Sequence, residues 1–135
     1  MLEFFVPGEP HGKGRPRVST RGGFSRMFTP PKTVAYEAEV AHCAARAMDG
    51  ADPLDGPVAV EIEAIHGIPQ SWSKKKQAAA VGGPVTAKPD IDNLIKSVAD
   101  GANGVAWVDD KQIAKITARK IYGTEPGVRV RVSAM

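Results

Sequence analysis

The chain has 135 residues, of which 42% are hydrophobic and 24% charged, with a formal net charge of +3. These values are typical of one globular domain, here predicted over residues 1–135, and exclude a chain that is disordered throughout. No apolar run approaches the roughly 18 residues that a membrane-spanning helix needs, and the single cysteine, Cys43, excludes an internal disulfide, so we expect a soluble cytoplasmic protein with a buried thiol.

The first part of the chain predicts a strand, a long loop and a helix. Residues 2–6 form a short apolar run that Pro7 ends, and residues 7–30 are a basic loop rich in glycine and proline. Thr29 precedes two prolines, which predicts a helix from about Pro31 to Met48 with Thr29 as its cap. Apolar residues recur at helical spacing and predict the buried stripe of this helix: Val34, Ala38, Ala41, Ala45 and Met48.

The middle of the chain predicts a strand followed by two helices. Apolar and polar residues alternate over 57–66, which is typical of a strand. Ser71 is a candidate cap for a short helix over 74–80. A longer helix is expected from about Ile91 to Ala102, and its apolar residues lie on one face: Ile91, Leu94, Ile95, Val98 and Ala102.

The last part predicts more strand. Residues 105–108 are a short apolar segment, and residues 112–122 and 127–133 alternate well enough to be two strands joined by a turn. The order of elements predicts an α+β fold: one small domain in which a mixed sheet packs against two main helices.

The charges are unevenly distributed along the chain. Residues 11–32 and 71–89 carry lysines and arginines and no acid, whereas five aspartates fall within 21 residues: Asp90, Asp92, Asp100, Asp109 and Asp110. A basic surface beside clustered carboxylates suits an enzyme that holds a polyanion and cuts it with a metal ion. The alternative is an ordinary solvated surface on which the charges balance.

The aspartates at the start of the longer helix are the candidate metal ligands. Asp90 and Asp92 are two residues apart, and Mg²⁺ prefers carboxylate oxygens together with water and substrate phosphate. Lys96 lies four residues after Asp92, on the same side of the helix, where it could reach a scissile phosphate. Asp110 could complete the cluster. The alternatives are that Asp90 or Asp92 is a helix cap, that Asp110 belongs to a turn and that Lys96 pairs with Asp92.

The basic stretches are the candidate DNA-binding segments. Glycine and proline alternate with basic residues from Gly8 to Arg17, so the backbone can approach a phosphate while arginine forks donate to its oxygens. The alternative is a flexible basic arm without defined contacts. The predicted DNA-binding residues are Lys13, Arg15, Arg17, Lys74, Lys75 and Lys76.

Several motifs in order resemble the RusA-type Holliday junction resolvases of phages and prophages. They are KPDIDNLIK at 88–96 followed by Asp100, WVDDKQI at 107–113, GKGRPR at 12–17, FTPPKT at 28–33 and SWSKKK at 71–76. Together they cover nearly the whole chain.

The resemblance implies a fold, a reaction and a set of site residues. It implies an α+β homodimer in which Asp90, Asp92 and Asp110 bind Mg²⁺, with Mn²⁺ as a substitute, and in which Lys96 is needed for cutting. Each subunit would cut one strand of a four-way DNA junction. Two alternatives stay open: a basic DNA-binding protein without catalysis, and a metal-dependent nuclease for other branched or flapped DNA.

Overall fold

The computed structural model describes residues 1–14, 17–23 and 25–135, with Arg17, Arg21 and Arg26 described by backbone alone. The strands and helices follow one another as β1 (Leu2–Pro7), β2 (Arg17–Ser19), β3 (Arg26–Phe28), α1 (Pro31–Met48), β4 (Val58–Gly67), α2 (Lys74–Ala80), α3 (Ile91–Ala102), β5 (Ile113–Gly123) and β6 (Gly127–Ala134). No helix within these described ranges is both long and apolar enough to cross a membrane.

Four strands form one mixed sheet in the order β1-β6-β4-β5. The pairs β1–β6 and β6–β4 are antiparallel, and β4–β5 is parallel. Alternate residues of β4 and β6 are buried, because one face of the sheet carries α1 and α3 while the other carries charged side chains. This arrangement confirms the predicted α+β fold with a mixed sheet and two main helices.

Helices α1 and α3 have the predicted bounds, but the predicted buried stripe of α1 is wrong. The helix buries Thr33, Val40 and Ala44, whereas Val34 is 53% exposed. Alanines lie on several faces of the helix, so more than one face has small apolar residues at the spacing of a buried stripe. The apolar face of α3 is confirmed at Leu94, Val98 and Ala102 but not at Ile91, which is 41% exposed; the three confirmed residues enter the core.

The two main helices cross at a glycine, and this contact supplies a stability test. A Cβ placed on Gly101 would lie 2.7 Å from the Cβ of Val40 and 2.9 Å from the carbonyl oxygen of Glu37. We expect Gly101→Ala to lower the free energy of unfolding by about 1–3 kcal/mol, because overpacking separates the helices. At an unobstructed helical site the same change stabilises by up to about 1 kcal/mol. Urea denaturation measures the sign, and unchanged or raised stability would contradict this packing.

Both predicted helix caps, one predicted strand and one predicted loop need correction. The N-cap of α1 is Pro30 rather than Thr29, with no side-chain cap hydrogen bond, and Ser73 rather than Ser71 caps α2 by accepting from the N–H of Lys76. Residues 105–108 form turns and isolated bridges rather than a strand. The predicted loop over 7–30 contains the small β2–β3 hairpin.

Candidate active site

Asp90 and Asp92 present two exposed carboxylates at the start of α3. Asp90 is the N-cap residue but its side chain makes no cap hydrogen bond, and Asp92 lies in the first turn. The alternative that the Asp90 carboxylate caps the helix is therefore wrong. Both residues are exposed at the helix end whose dipole favours anions, so the pair has the donor chemistry that Mg²⁺ prefers.

Asp110 belongs to a different part of the fold. It opens a short 3₁₀ turn, Asp110–Gln112, directly before β5, and its Oδ1 accepts a hydrogen bond of 2.7 Å from the indole Nε1 of the buried Trp107. The backbone of Trp107 pairs with Asn103, just past the end of α3. That helix has 12 residues and is therefore about 18 Å long. Asp110 is thus tied to the opposite end of α3 from Asp90 and Asp92. Within residues 1–14, 17–23 and 25–135, no three acidic, histidine or cysteine side chains come together as a metal site.

The neighbouring Asp109 has a structural role. Its carboxylate accepts from the N–H of Lys111 at 2.9 Å, and its own N–H donates to Oε1 of Gln112 at 2.7 Å. These reciprocal bonds form a capping box on the 3₁₀ turn. Gln112 also donates to the carbonyl oxygens of Leu54 and Gly56, so the turn that carries Asp110 is tied to the connector before β4.

The glycine-rich loop lies against the start of α3. The N–H of Lys13 donates to the carbonyl oxygen of Asn93 at 2.8 Å, and Ser97 Oγ donates to the carbonyl oxygen of His11 at 2.7 Å. A Cβ on Gly12 would lie 2.7 Å from the Cβ of Pro89, so only glycine lets the backbone approach this closely. Residues 11–13 of the loop are thus held on α3 and the residues just before it.

An open groove separates the loop from the residues that lead into α3. It has a volume of about 520 Å³ and lies between residues 10–13 on one side and residues 88–90 and Asn93 on the other. Asp90 lines one wall and Lys13 the other. The groove therefore connects the basic loop with Asp90, the first of the paired aspartates, in one continuous surface feature.

Four charged side chains connect the loop, α1 and α3, and we call them the charge network: Lys13, Glu37, Lys96 and Asp100. Lys13 Nζ forms ion pairs with Glu37 and, at 3.1 Å, with Oδ2 of Asp100. Lys96 Nζ lies 3.0 Å from Oδ1 of the same Asp100. The alternative in which Lys96 pairs with Asp92 is thus wrong, because Lys96 pairs with Asp100, one turn after it on the helix.

The charge network perturbs two titrating groups. Partial burial alone would raise the pKa of Asp100, but hydrogen bonds and charge from Lys96 and Lys13 outweigh it, so the pKa lies below its ordinary value. Burial alone would lower the pKa of Lys13, but Glu37 and Asp100 outweigh it and raise the pKa. Asp100 and Lys13 are therefore both charged at neutral pH.

The other predicted DNA-binding residues are spread over the surface. Lys74, Lys75 and Lys76 are exposed in the first turn of α2, and Lys76 Nζ lies 4.1 Å from the ring centroid of Trp72. Arg15 and the Arg17 side chain lie outside the described residues. The assignment of all these lysines and arginines to DNA binding stays a prediction.

Thr33 is a buried anchor of the loop that the sequence analysis placed outside the helix stripe. Its Oγ1 accepts from the N–H of Gly14 at 3.1 Å and lies 3.2 Å from Nε2 of His11. We expect Thr33→Val to cost about 1–3 kcal/mol of unfolding free energy, because the loop loses a buried acceptor. Denaturation with urea and hydrogen exchange at Gly14 measure this loss. Thr124→Val, at an exposed position of the turn between β5 and β6, is the control, and equal effects of the two changes would contradict the anchor.

Asp100 and Glu37 are the charged residues that sequence reasoning did not assign to the site. The spacing of four between Lys96 and Asp100 was a usable signal, because residues so spaced are neighbours on a helix. The contact of Asp100 with Lys13 had no such signal, since 87 positions separate them and only the packing of the loop on α3 brings them together.

Comparisons with known proteins agree with the motifs. The sequence model of a family described as "Endodeoxyribonuclease RusA" matches residues 7–133, which is nearly the whole chain. The chain is also 36% identical, over 135 residues, to "Uncharacterized protein YqaN" of Bacillus subtilis (strain 168). That alignment covers 97% of this chain and 94% of the relative.

Proposed function

We propose that this chain, which belongs to the RusA family of endodeoxyribonucleases, is a Mg²⁺-dependent enzyme that resolves four-way DNA junctions by hydrolysing phosphodiester bonds. The observation that carries the proposal is the pair of exposed carboxylates at the start of α3, beside the groove and the basic loop. A protein that bound DNA without cutting it would not need two exposed carboxylates on the surface that faces DNA, because they would repel its phosphates.

Asp90 and Asp92 are the residues that would hold the metal. Mg²⁺ in phosphate-processing sites is usually bound through one or two carboxylates, with water and substrate phosphate completing its six ligands. Such an ion supplies Lewis acidity at the phosphate and lowers the pKa of bound water. The chain's own residues bring the phosphate there: the glycine-rich loop follows the DNA backbone, and the lysines of the charge network offset its negative charge.

Lys96 contributes at the reacting phosphate. It follows Asp92 by one turn of α3 and is 61% exposed, so its ammonium can contact a DNA strand laid along the helix. A positive charge held there stabilises the charge that grows on the phosphate oxygens as water attacks phosphorus and the P–O bond breaks.

A homodimer would account for the separate position of Asp110. The outer edge of β5 is exposed from Ala114 to Thr117, and no described strand pairs with it there, whereas residues 81–85 cover its far half. A free strand edge invites a second copy, and a two-fold axis makes such pairing antiparallel. The start of one β5, with Asp110, would then lie beside the partner's segment that leads into Asp90.

Mixing two inactive variants tests this composite site. If Asp110 serves the partner's Asp90, a dimer of one Asp90→Asn chain and one Asp110→Asn chain holds one complete site and one doubly damaged site. We expect cleavage to reappear after subunit exchange, at up to half the wild-type rate in the mixed dimer. Continued inactivity of a verified mixed dimer would place all three aspartates of a site in one chain.

The basic loop is tested through the salt dependence of binding. Replacing Arg15 and Arg17 together with alanine should weaken binding to a four-way junction and lower the log–log salt slope by about 1.8, since each phosphate contact contributes about 0.9. The double variant Arg46→Ala, Arg119→Ala removes the same charge elsewhere and is the control. An unchanged slope in the loop variant would mean that these arginines make no phosphate contact.

A panel of DNA substrates tests the proposed reaction. We expect cuts at paired positions in a synthetic four-way junction with Mg²⁺, little cutting of plain duplex, and none with a chelator. Preferred cutting of a flap would assign the chain to another branched DNA. Equal binding with and without chelator, and no cutting of any substrate, would make it a DNA-binding protein without catalysis.

A further inference from the structure

Asp100 lies at the centre of the charge network without being a predicted metal ligand or phosphate contact. Its Oδ1 is bound to Lys96 and its Oδ2 to Lys13, at 3.0 and 3.1 Å. Its side chain is 22% exposed, whereas that of Lys96 is 61% exposed. The carboxylate is therefore the fixed partner and the Lys96 side chain the one that it restrains.

The two lysines come from parts of the chain that the proposed reaction uses differently. Lys13 belongs to the basic loop and Lys96 to α3, and the two oxygens of a single carboxylate hold their ammonium groups as neighbours. Without a shared anion the two positive charges would repel each other, and the exposed Lys96 would move away. Helix geometry alone does not hold it, because a lysine four residues before its acid is the weaker orientation of such a pair.

We propose that Asp100 is a positioning residue, which keeps Lys96 beside Lys13 so that one DNA phosphate meets both ammonium groups. This inference rests on the proposed function, since it concerns the same site. The depressed pKa of Asp100 means that the carboxylate stays charged throughout the neutral range and holds both lysines there.

For the cutting rate of Asp100→Asn, a positioning role predicts the opposite change from simple electrostatics. Removing a negative charge close to DNA should by itself tighten binding and favour cutting, because the polyanion is repelled less. If Asp100 acts by positioning Lys96, Asp100→Asn should instead slow cutting about tenfold while the junction is bound as tightly as before or more tightly. The loss then appears in the rate of the bound complex and not in affinity.

Glu39→Gln is the matched control. It removes one negative charge from an exposed position of α1 outside the charge network, where the Glu39 carboxylate accepts from Sγ of Cys43 on the same helix. The contacts of Asp100 with Lys96 and Lys13 stay in place. We therefore expect Glu39→Gln to cut the bound junction within about twofold of wild type.

The experiment is a double-mutant cycle in single-turnover cleavage of a bound junction. Asp100→Asn should slow cutting about tenfold in the wild-type background but less than twofold in a Lys96→Ala background, because the residue through which it acts is gone. Asp100→Glu should restore part of the rate. A wild-type rate in Asp100→Asn, or equal losses in both backgrounds, would overturn the proposal.

A second readout does not depend on cutting. Nuclear magnetic resonance of the lysine side chains should show the Lys96 signal shifted in Asp100→Asn and unshifted in Glu39→Gln. An unshifted Lys96 signal in Asp100→Asn would overturn the proposal even if cutting fell. Wild-type protein that binds a junction and never cuts it would overturn the proposed function, and the contribution of Asp100 to cutting with it. The Lys96 resonance would still report whether Asp100 restrains that side chain.

Discussion

Asp90→Asn and Asp92→Asn are each expected to lower junction cleavage by more than about 100-fold while the junction remains bound. Replacing even an outer partner of a metal ligand commonly costs 10–100-fold in metal affinity or activity, and these residues are the proposed ligands themselves. The amide has nearly the shape of the carboxylate but lacks its charge. Since both residues are exposed and the Asp90 side chain makes no cap hydrogen bond, the fold should be unaffected.

Three measurements distinguish this result from a general change of charge. Cleavage is followed in single turnover, binding by titration of a labelled junction, and folding by thermal denaturation. Asp52→Asn, at an exposed position of the connector between α1 and β4, makes the same change of charge and should leave the rate intact. Near-normal cutting by both Asp90→Asn and Asp92→Asn would remove the metal site from the start of α3.

Lys96→Ala is expected to fold normally and to cut a bound junction about 100- to 1,000-fold more slowly. One charge aimed at the developing transition state can contribute roughly 2.7–4 kcal/mol, as an oxyanion-hole donor does. Binding should fall only modestly, because many basic residues share that task. Lys96→Arg should restore part of the rate, since the planar guanidinium is larger than an ammonium group.

The measurement is single-turnover cleavage at saturating Mg²⁺. Lys32→Ala is the matched control, because Lys32 is an exposed helical lysine at the other end of the basic loop. A Lys96→Ala rate within about twofold of wild type, a difference of roughly 0.4 kcal/mol, would make Lys96 an ordinary surface lysine.

Local sequence signals predicted the elements because each signal acts within a few residues. Prolines at the start of α1, and Pro89 two residues before α3, mark where the helices begin, and both helices have the predicted bounds. The side of α1 that is buried could not be read in the same way. Its many alanines fit several faces, and contact with α3 at Gly101 selects the face that carries Val40.

The candidate site was predictable in its residue types and not in its arrangement. The spacing of Asp90, Asp92 and Lys96 on one helix follows from the sequence, and the structure brings them onto α3 as expected. The pairing of Asp100 with Lys13 depends on how the loop crosses α3, which no local pattern encodes. The bond from Trp107 to Asp110 likewise follows from tertiary packing of the indole, and it ties Asp110 to the far end of that helix.

The most direct test of a metal-dependent nuclease is a Mg²⁺ titration of cleavage with the junction already bound. Protein is held in excess over an end-labelled four-way junction, and the single-turnover rate is measured from chelator alone to saturating Mg²⁺. We expect no cutting in chelator, a rate that rises and saturates with Mg²⁺, and equally tight binding of the junction at every concentration. Cutting that persists in chelator, or a bound junction that stays intact at every Mg²⁺ and Mn²⁺ concentration, would contradict a metal-dependent nuclease.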